Sequence, residues 1–121
     1  AREDFSKMQK TEQERSREVN HHSQRCRREP ENVSAWVDAG ELHLRAKDTD
    51  QAASHAWRAL EVDPASYPAR LLLARSLRDG GLYSQAALHY RKILIRNPRQ
   101  GTATTELQEM VRKHAGKQQS K

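Results

Sequence analysis

The sequence predicts an all-α fold built from stacked repeats, and three observations support that prediction. Proline recurs at Pro30, Pro64 and Pro98, each 34 residues from the next and each after a polar residue (Glu29, Asp63, Asn97). The same period relates Ala52 to Ala86, Leu60 to Leu94, and His21 to His55 and His89. The chain is hydrophilic, 35% hydrophobic against 31% charged, with a mean hydropathy of -1.07. That suits amphipathic helices that each bury one stripe. No stretch alternates apolar and polar residues over strand length.

Residues 1–30 form an N-terminal helical segment that reads as a degenerate repeat. Residues 17–30 align with the second helix of the later units and put Cys26 on the Leu60/Leu94 position. Upstream, Phe5 and Ser6 fall where Leu73 and Ala74 would, which suggests a first helix at 2–10. Thr11-x-x-Glu14 has the spacing of a capping box that would open a new helix. One continuous helix over 3–28 is the rival reading.

Residues 31–100 hold two units, 33–66 and 67–100, and QAASHAWRALEVDP (51–64) superposes on QAALHYRKILIRNP (85–98). In the first unit a helix over 33–46 carries Trp36, Ala39, Gly40 and His43 at three- and four-residue spacing. Gly40 costs a helix roughly 1 kcal/mol against Ala, a cost acceptable where another helix packs against the backbone. Asp50 is the expected N-cap of a second helix over 51–62, with Ala52, Ala56, Ala59 and Leu60 on one face. Asp63-Pro64 stops it, because the residue before proline avoids the helical region. The second unit copies the plan. A helix over 68–78 opens on Pro68 and aligns Leu73, Ala74 and Leu77. Asp79-Gly80-Gly81 forms the turn, and a helix over 84–95 turns Ala86, Tyr90, Ile93 and Leu94 inward. Residues 101–115 form a capping helix with Leu107, Met110, Val111 and His114 on one face. Residues 116–121 are expected to be a disordered tail.

The net charge is +6 and is spread along the chain. Residues 1–30 hold 8 basic and 6 acidic side chains, 31–100 hold 10 and 8, and 101–121 hold 4 and 2. Without a polybasic block, a dedicated nucleic-acid surface is disfavoured. No apolar run of membrane-spanning length is present. Cys26 is the single cysteine, so no internal disulfide forms, which is compatible with a reducing compartment such as the cytoplasm but leaves the localisation undetermined.

His22 and Cys26 lie one helical turn apart, with His21 adjacent, but a structural metal site normally needs four ligands on shorter loops. Packing by Cys26 and solvated histidines is the preferred reading. His21, His55 and His89 could align as a ladder on successive second helices, but inherited packing is the preferred reading. No nucleophile, base and orienting group can be assembled, and no phosphate-cradling loop occurs. Neither an enzyme activity nor a cofactor or small-molecule substrate is expected.

The repeat resembles the tetratricopeptide repeat family. In 33–66 the matching residues are Trp36, Gly40, Ala52, Ala59 and Pro64, while Ala39, His43 and Ala56 depart. In 67–100 they are Leu73, Ala74, Ala86, Tyr90 and Pro98, while Arg70, Leu77 and Ile93 depart. The turn Gly80-Gly81-Leu82-Tyr83-Ser84-Gln85-Ala86 is also characteristic. The resemblance implies a short right-handed solenoid with flanking capping helices. It also implies a protein-interaction module, an adaptor or assembly factor whose concave groove takes a peptide or partner protein.

Carried over residue by residue, the groove would be lined by Val37, Glu41, Leu44 and Arg45 in the first unit and by Leu71, Leu72, Arg75 and Arg78 in the second. Apolar patches flanked by arginine would suit a ligand with acidic and apolar residues. The subfamily that grips the C-terminal carboxylate of heat-shock chaperones has Lys and Asn where this chain has Val37 and Glu41, so that activity is not implied. Two other classes compete with groove binding. One is self-association as a homo-oligomer through the end faces of a short stack; the other, weaker, is electrostatic binding of nucleic acid or another polyanion.

Overall fold

The computed structural model describes residues 12–119, with side chains described through His114. The described residues form six helices: α1 (Glu12–Arg28), α2 (Val33–Arg45), α3 (Thr49–Val62), α4 (Tyr67–Asp79), α5 (Tyr83–Arg96) and α6 (Gly101–Gln119). No strand occurs among them. The expected helix over 2–10, the capping box opened by Thr11 and the start of the rival helix over 3–28 all lie outside the described residues.

The two central units are helical hairpins, α2 with α3 and α4 with α5, and each helix packs on the next in chain order. Across the unit boundary α2 also packs against α4, whereas α3 and α5 make at most marginal contact. The first helices therefore line the inner side of the stack.

The helix ends follow local chemistry. Asn32 caps α2 by accepting from the Ala35 amide, and Ser66, 34 residues on, caps α4 by accepting from the Ala69 amide. The helix expected to start behind Asp50 begins earlier, at Thr49, because Asp48 accepts from the Gln51 amide and is the true cap. Both intra-unit turns close alike. The Asp48 amide donates to His43 O at 2.9 Å and the Leu82 amide to Leu77 O at 2.8 Å, and the residue before each amide is left-handed, Lys47 (φ 68°) and Gly81 (φ 83°).

Small residues set the close approach within the stack. Ala35, Ala52, Ala56, Ala59, Ala69, Ala74 and Ala86 are fully buried. Gly40 packs so tightly that a Cβ added there would meet Leu72 Cδ2 at 2.5 Å and the Ala52 carbonyl at 3.3 Å. Larger side chains fill the rest, chiefly Leu72, Leu73, Leu77, Tyr90 and Ile93. Cys26 joins Ala35 and Ala39 in a smaller cluster, where its thiol donates to Ala35 O at 3.4 Å and burial pushes its pKa up.

α6 seals the far end. Ala103 and Met110 are buried against the core, Leu107 packs beside them, and His114 stacks on Tyr83 at 4.0 Å between ring centres. Val111, expected on that face, is 44% exposed, because it lies one residue past the buried stripe. The helix runs through Gln119, four residues beyond the expected end at 115.

Candidate functional site

The inner side of the stack is carried by α2 and α4, the helices that hold all eight residues expected to line a groove. The structure divides those residues into two sets. Val37, Leu71 and Leu72 are core: they are 6%, 8% and 2% exposed and belong to the main apolar cluster. They pack between consecutive units, and Leu72 closes over Gly40, so they offer a ligand almost no surface. Leu44 is only half-buried and packs against the same cluster. Glu41 and Arg45 lie at the open end of α2 as a loose pair at 4.0 Å.

Arg75 and Arg78 lie one turn apart on α4 and converge on a single carboxylate, Glu106 of α6. Arg75 Nη2 reaches Glu106 Oε2 at 2.6 Å, and its Nε reaches Oε1 and Oε2 at 2.9 and 3.2 Å. Arg78 Nη1 adds a contact to Oε1 at 3.2 Å. The hydroxyl of Tyr90, a fully buried side chain, donates to the same oxygen at 2.8 Å. Burial alone would raise the Glu106 pKa. Hydrogen bonds from Arg75 and Tyr90 and the two guanidinium charges outweigh it and hold the carboxyl below its ordinary value. Burial and the bond to Glu106 push the Tyr90 pKa well up, so the hydroxyl stays a donor.

Glu106 and Tyr90 as arginine partners were missed from the sequence. Arg75 and Glu106 are 31 residues apart and sit in different units, so no local spacing joins them. Only the stacking of α6 behind the second hairpin brings the acid to the arginines.

Beside this cluster an open cleft of about 420 Å³ lies between the end of α4, the start of α5 and α6. Arg78, Asp79, Glu106, Glu109, Lys113 and His114 give it a polar wall, with Tyr83 and Met110 as its apolar parts. Charges of both signs line it.

The histidines are dispersed. His55 lies 5.5 Å from the Trp36 ring and 4.9 Å from His43. Burial and the neighbouring His55 lower the His43 pKa, partly offset by Asp48. His89 is buried against Trp57, with ring centres 5.4 Å apart. Burial, then Arg70 and Lys92, push its pKa down to about 4. The described residues contain no group of three or more His, Cys, Asp or Glu placed to hold a metal ion, and none of their helices is long and apolar enough to cross a membrane.

Residues 33–76 match the tetratricopeptide repeat family model. Over 70 residues, 58% of the chain, the sequence is 36% identical to the general transcriptional corepressor ssn6 of Schizosaccharomyces pombe. The chain spans only 6% of that relative's length. Two solved domains share the fold. The tetratricopeptide repeat domain of Arabidopsis OM64 superposes with a TM-score of 0.75 over 84% of each chain at 20% identity. The second such domain of human RPAP3, solved in complex with the HSP70 peptide SGPTIEEVD, gives 0.74 over 82% of each chain at 16% identity. Together with the 34-residue hairpins and their small-residue contacts, these matches show that the chain has the fold of tetratricopeptide repeat domains, with residues 33–76 matching the family's own repeat.

Proposed function

We propose that this chain is a protein-interaction module, without catalysis of its own, that binds an acidic segment of a partner protein. The segment would lie along the inner side, from Glu41, Leu44 and Arg45 to the cleft beside Arg78. One observation carries this reading: Arg75 and Arg78 already form a fork that grips a carboxylate, and an open cleft of mixed charge adjoins it. The RPAP3 domain, solved with a peptide that contains two consecutive glutamates, is a fold-level precedent for a peptide on this scaffold. Glu106 fills the fork from within. A ligand acid therefore meets the rim cations Arg45 and Lys113 and the outer faces of the two α4 arginines.

The test is fluorescence anisotropy with a library of labelled acidic nonapeptides carrying one apolar anchor. Arg45→Glu combined with Lys113→Glu should abolish binding of the selected peptides. The same double reversal at Arg91 and Arg99, both outside the groove set, should leave it within about two-fold. Equal weakening by both pairs would mean that net charge alone is read, and a polyanion would replace the peptide as the better ligand.

A further inference from the structure

Within the repeat, Arg70 occupies the seat that Trp36 fills one unit earlier. Trp36 Nε1 donates to the carbonyl of Pro30 at 2.9 Å, and Arg70 Nη2 donates to the carbonyl of Pro64 at 3.2 Å, six residues back in each case. Trp36 faces His55, and Arg70 Nη1 bonds His89 Nδ1 at 3.0 Å, again 34 residues on. The neighbours change as well. In the first unit Arg58 lies over the Trp36 ring at 5.8 Å. In the second, the equivalent residue is Lys92, and Arg96 stands where the first unit has Val62.

A planar guanidinium does not fill the space of an indole. Beside Arg70 lies a cleft of about 90 Å³, room for about three waters at roughly 30 Å³ each. Its walls include Arg70, Lys92 and Arg96, with Ser66, Asn97 and Gln100 as polar neighbours, and no acid. Among the described residues none of the three cations forms an ion pair. Burial, and secondarily the charge of Arg96, lower the Arg70 pKa. Two of the five Arg70 donors are held by His89 and Pro64, which fixes the guanidinium and leaves the others free. The cleft also lies where α4 and α6 begin, so two helix N-termini add partial positive charge. Arg96 stands in the last turn of α5, where the helix dipole favours a cation. That accounts for one of the three charges and leaves Arg70 and Lys92 uncompensated.

We propose that this cleft is a phosphate-binding site, in which Arg70 presents donors to the phosphate oxygens and Lys92 and Arg96 neutralise its charge. It shares no lining residue with the groove set or with the cleft beside Arg78, so it does not rest on peptide binding there. Convergence of three cations favours a doubly charged phosphate over a singly charged carboxylate. The group is carried either by a phosphorylated serine of a partner or as free phosphate.

The experiment is a nitrogen–proton NMR titration of the full chain with inorganic phosphate, at ionic strength matched by chloride. Saturable shifts are expected for the Arg70 Nε–H and the amides of Tyr67, Lys92, Asn97 and Gln100. Lys92→Ala with Arg96→Ala, both at exposed positions, should weaken binding about ten-fold or more without loss of helicity. Arg70→Trp, which copies the first unit, should fill the cleft and abolish binding in a folded protein. A phosphoserine peptide that binds tighter than inorganic phosphate would assign the source to a partner, whereas equal affinity would assign free phosphate. Linear unsaturating drift, the same shifts in chloride alone, acetate binding as tightly as phosphate, or unchanged affinity in the Lys92/Arg96 variant would each overturn the proposal.

Discussion

Single residues set how closely the helices approach and how the turns close. Gly40 has its backbone against Leu72 and α3. Ala there would gain roughly 1 kcal/mol of helix propensity but would press its methyl into a buried leucine and a backbone carbonyl. Overpacking of about 2 kcal/mol outweighs the gain, so Gly40→Ala should destabilise by about 1 kcal/mol in urea unfolding. An unchanged midpoint would show that Leu72 swings aside freely. Lys47 and Gly81 take the same left-handed seat, and a side chain there costs roughly 1 kcal/mol. Lys47→Gly should therefore stabilise and Gly81→Lys destabilise, each by about 1 kcal/mol, and thermal melts of the two variants should move in opposite directions. The turn at Asp79-Gly80-Gly81 and a break between helices at 47–50 are legible in the sequence. The shared backbone conformation is not, because Lys47 carries no glycine to announce it.

At the scale of elements, α6 is bound to the second hairpin by charge as well as by apolar contact. Glu106→Ala leaves two guanidinium groups and the buried Tyr90 hydroxyl without their acceptor. It should cost about 2 kcal/mol, discounted from a fully buried pair because both arginines are about one-third exposed. Stability within 0.5 kcal/mol of the parent, on the order of a surface change, would mean that the three partners are solvated in solution. Truncation after Gln100 removes this acid and the Ala103, Leu107 and Met110 stripe together. Light scattering should then show more association than in the full chain. A capping helix here was legible from its apolar spacing. Its choice of Arg75 and Arg78 as partners was not, since pairing across 31 residues depends on how the hairpins stack.

For the molecule as a whole, acid should loosen the stack chiefly through His89. The groups facing it are Arg70 from α4, Lys92 on α5 and the Trp57 ring from α3. Its folded pKa is about 4, whereas an unfolded histidine titrates near 6.5. The unfolded chain therefore takes up a proton first. The neutral ring's contribution is complete above about pH 6.5 and is lost as pH falls toward 4, on the order of 3 kcal/mol in all. Glu106, held below its ordinary pKa, loses its contribution in the same direction at still lower pH. Urea midpoints at pH 7.5 and pH 4.5 should separate widely for the parent and less for His89→Gln. Equal separation would place the acid sensitivity elsewhere.

The all-α class, the 34-residue period and most inward faces are legible along the chain before any packing is known. Those features rest on local periodicity, small residues at fixed positions and helix-ending prolines, which are written along one dimension. Which side chains of α2 and α4 remain available depends on how the hairpins pack. Val37, Leu71 and Leu72 share helical faces with Glu41 and Arg75, yet they are buried in the main apolar cluster, a packing that a single-helix pattern does not encode. Arg70 in a tryptophan's seat was visible as a departure from the repeat. That it opens a cleft toward Lys92 and Arg96 follows only when α4 and α5 are packed together, because the space left by a missing indole belongs to the assembly and not to either helix.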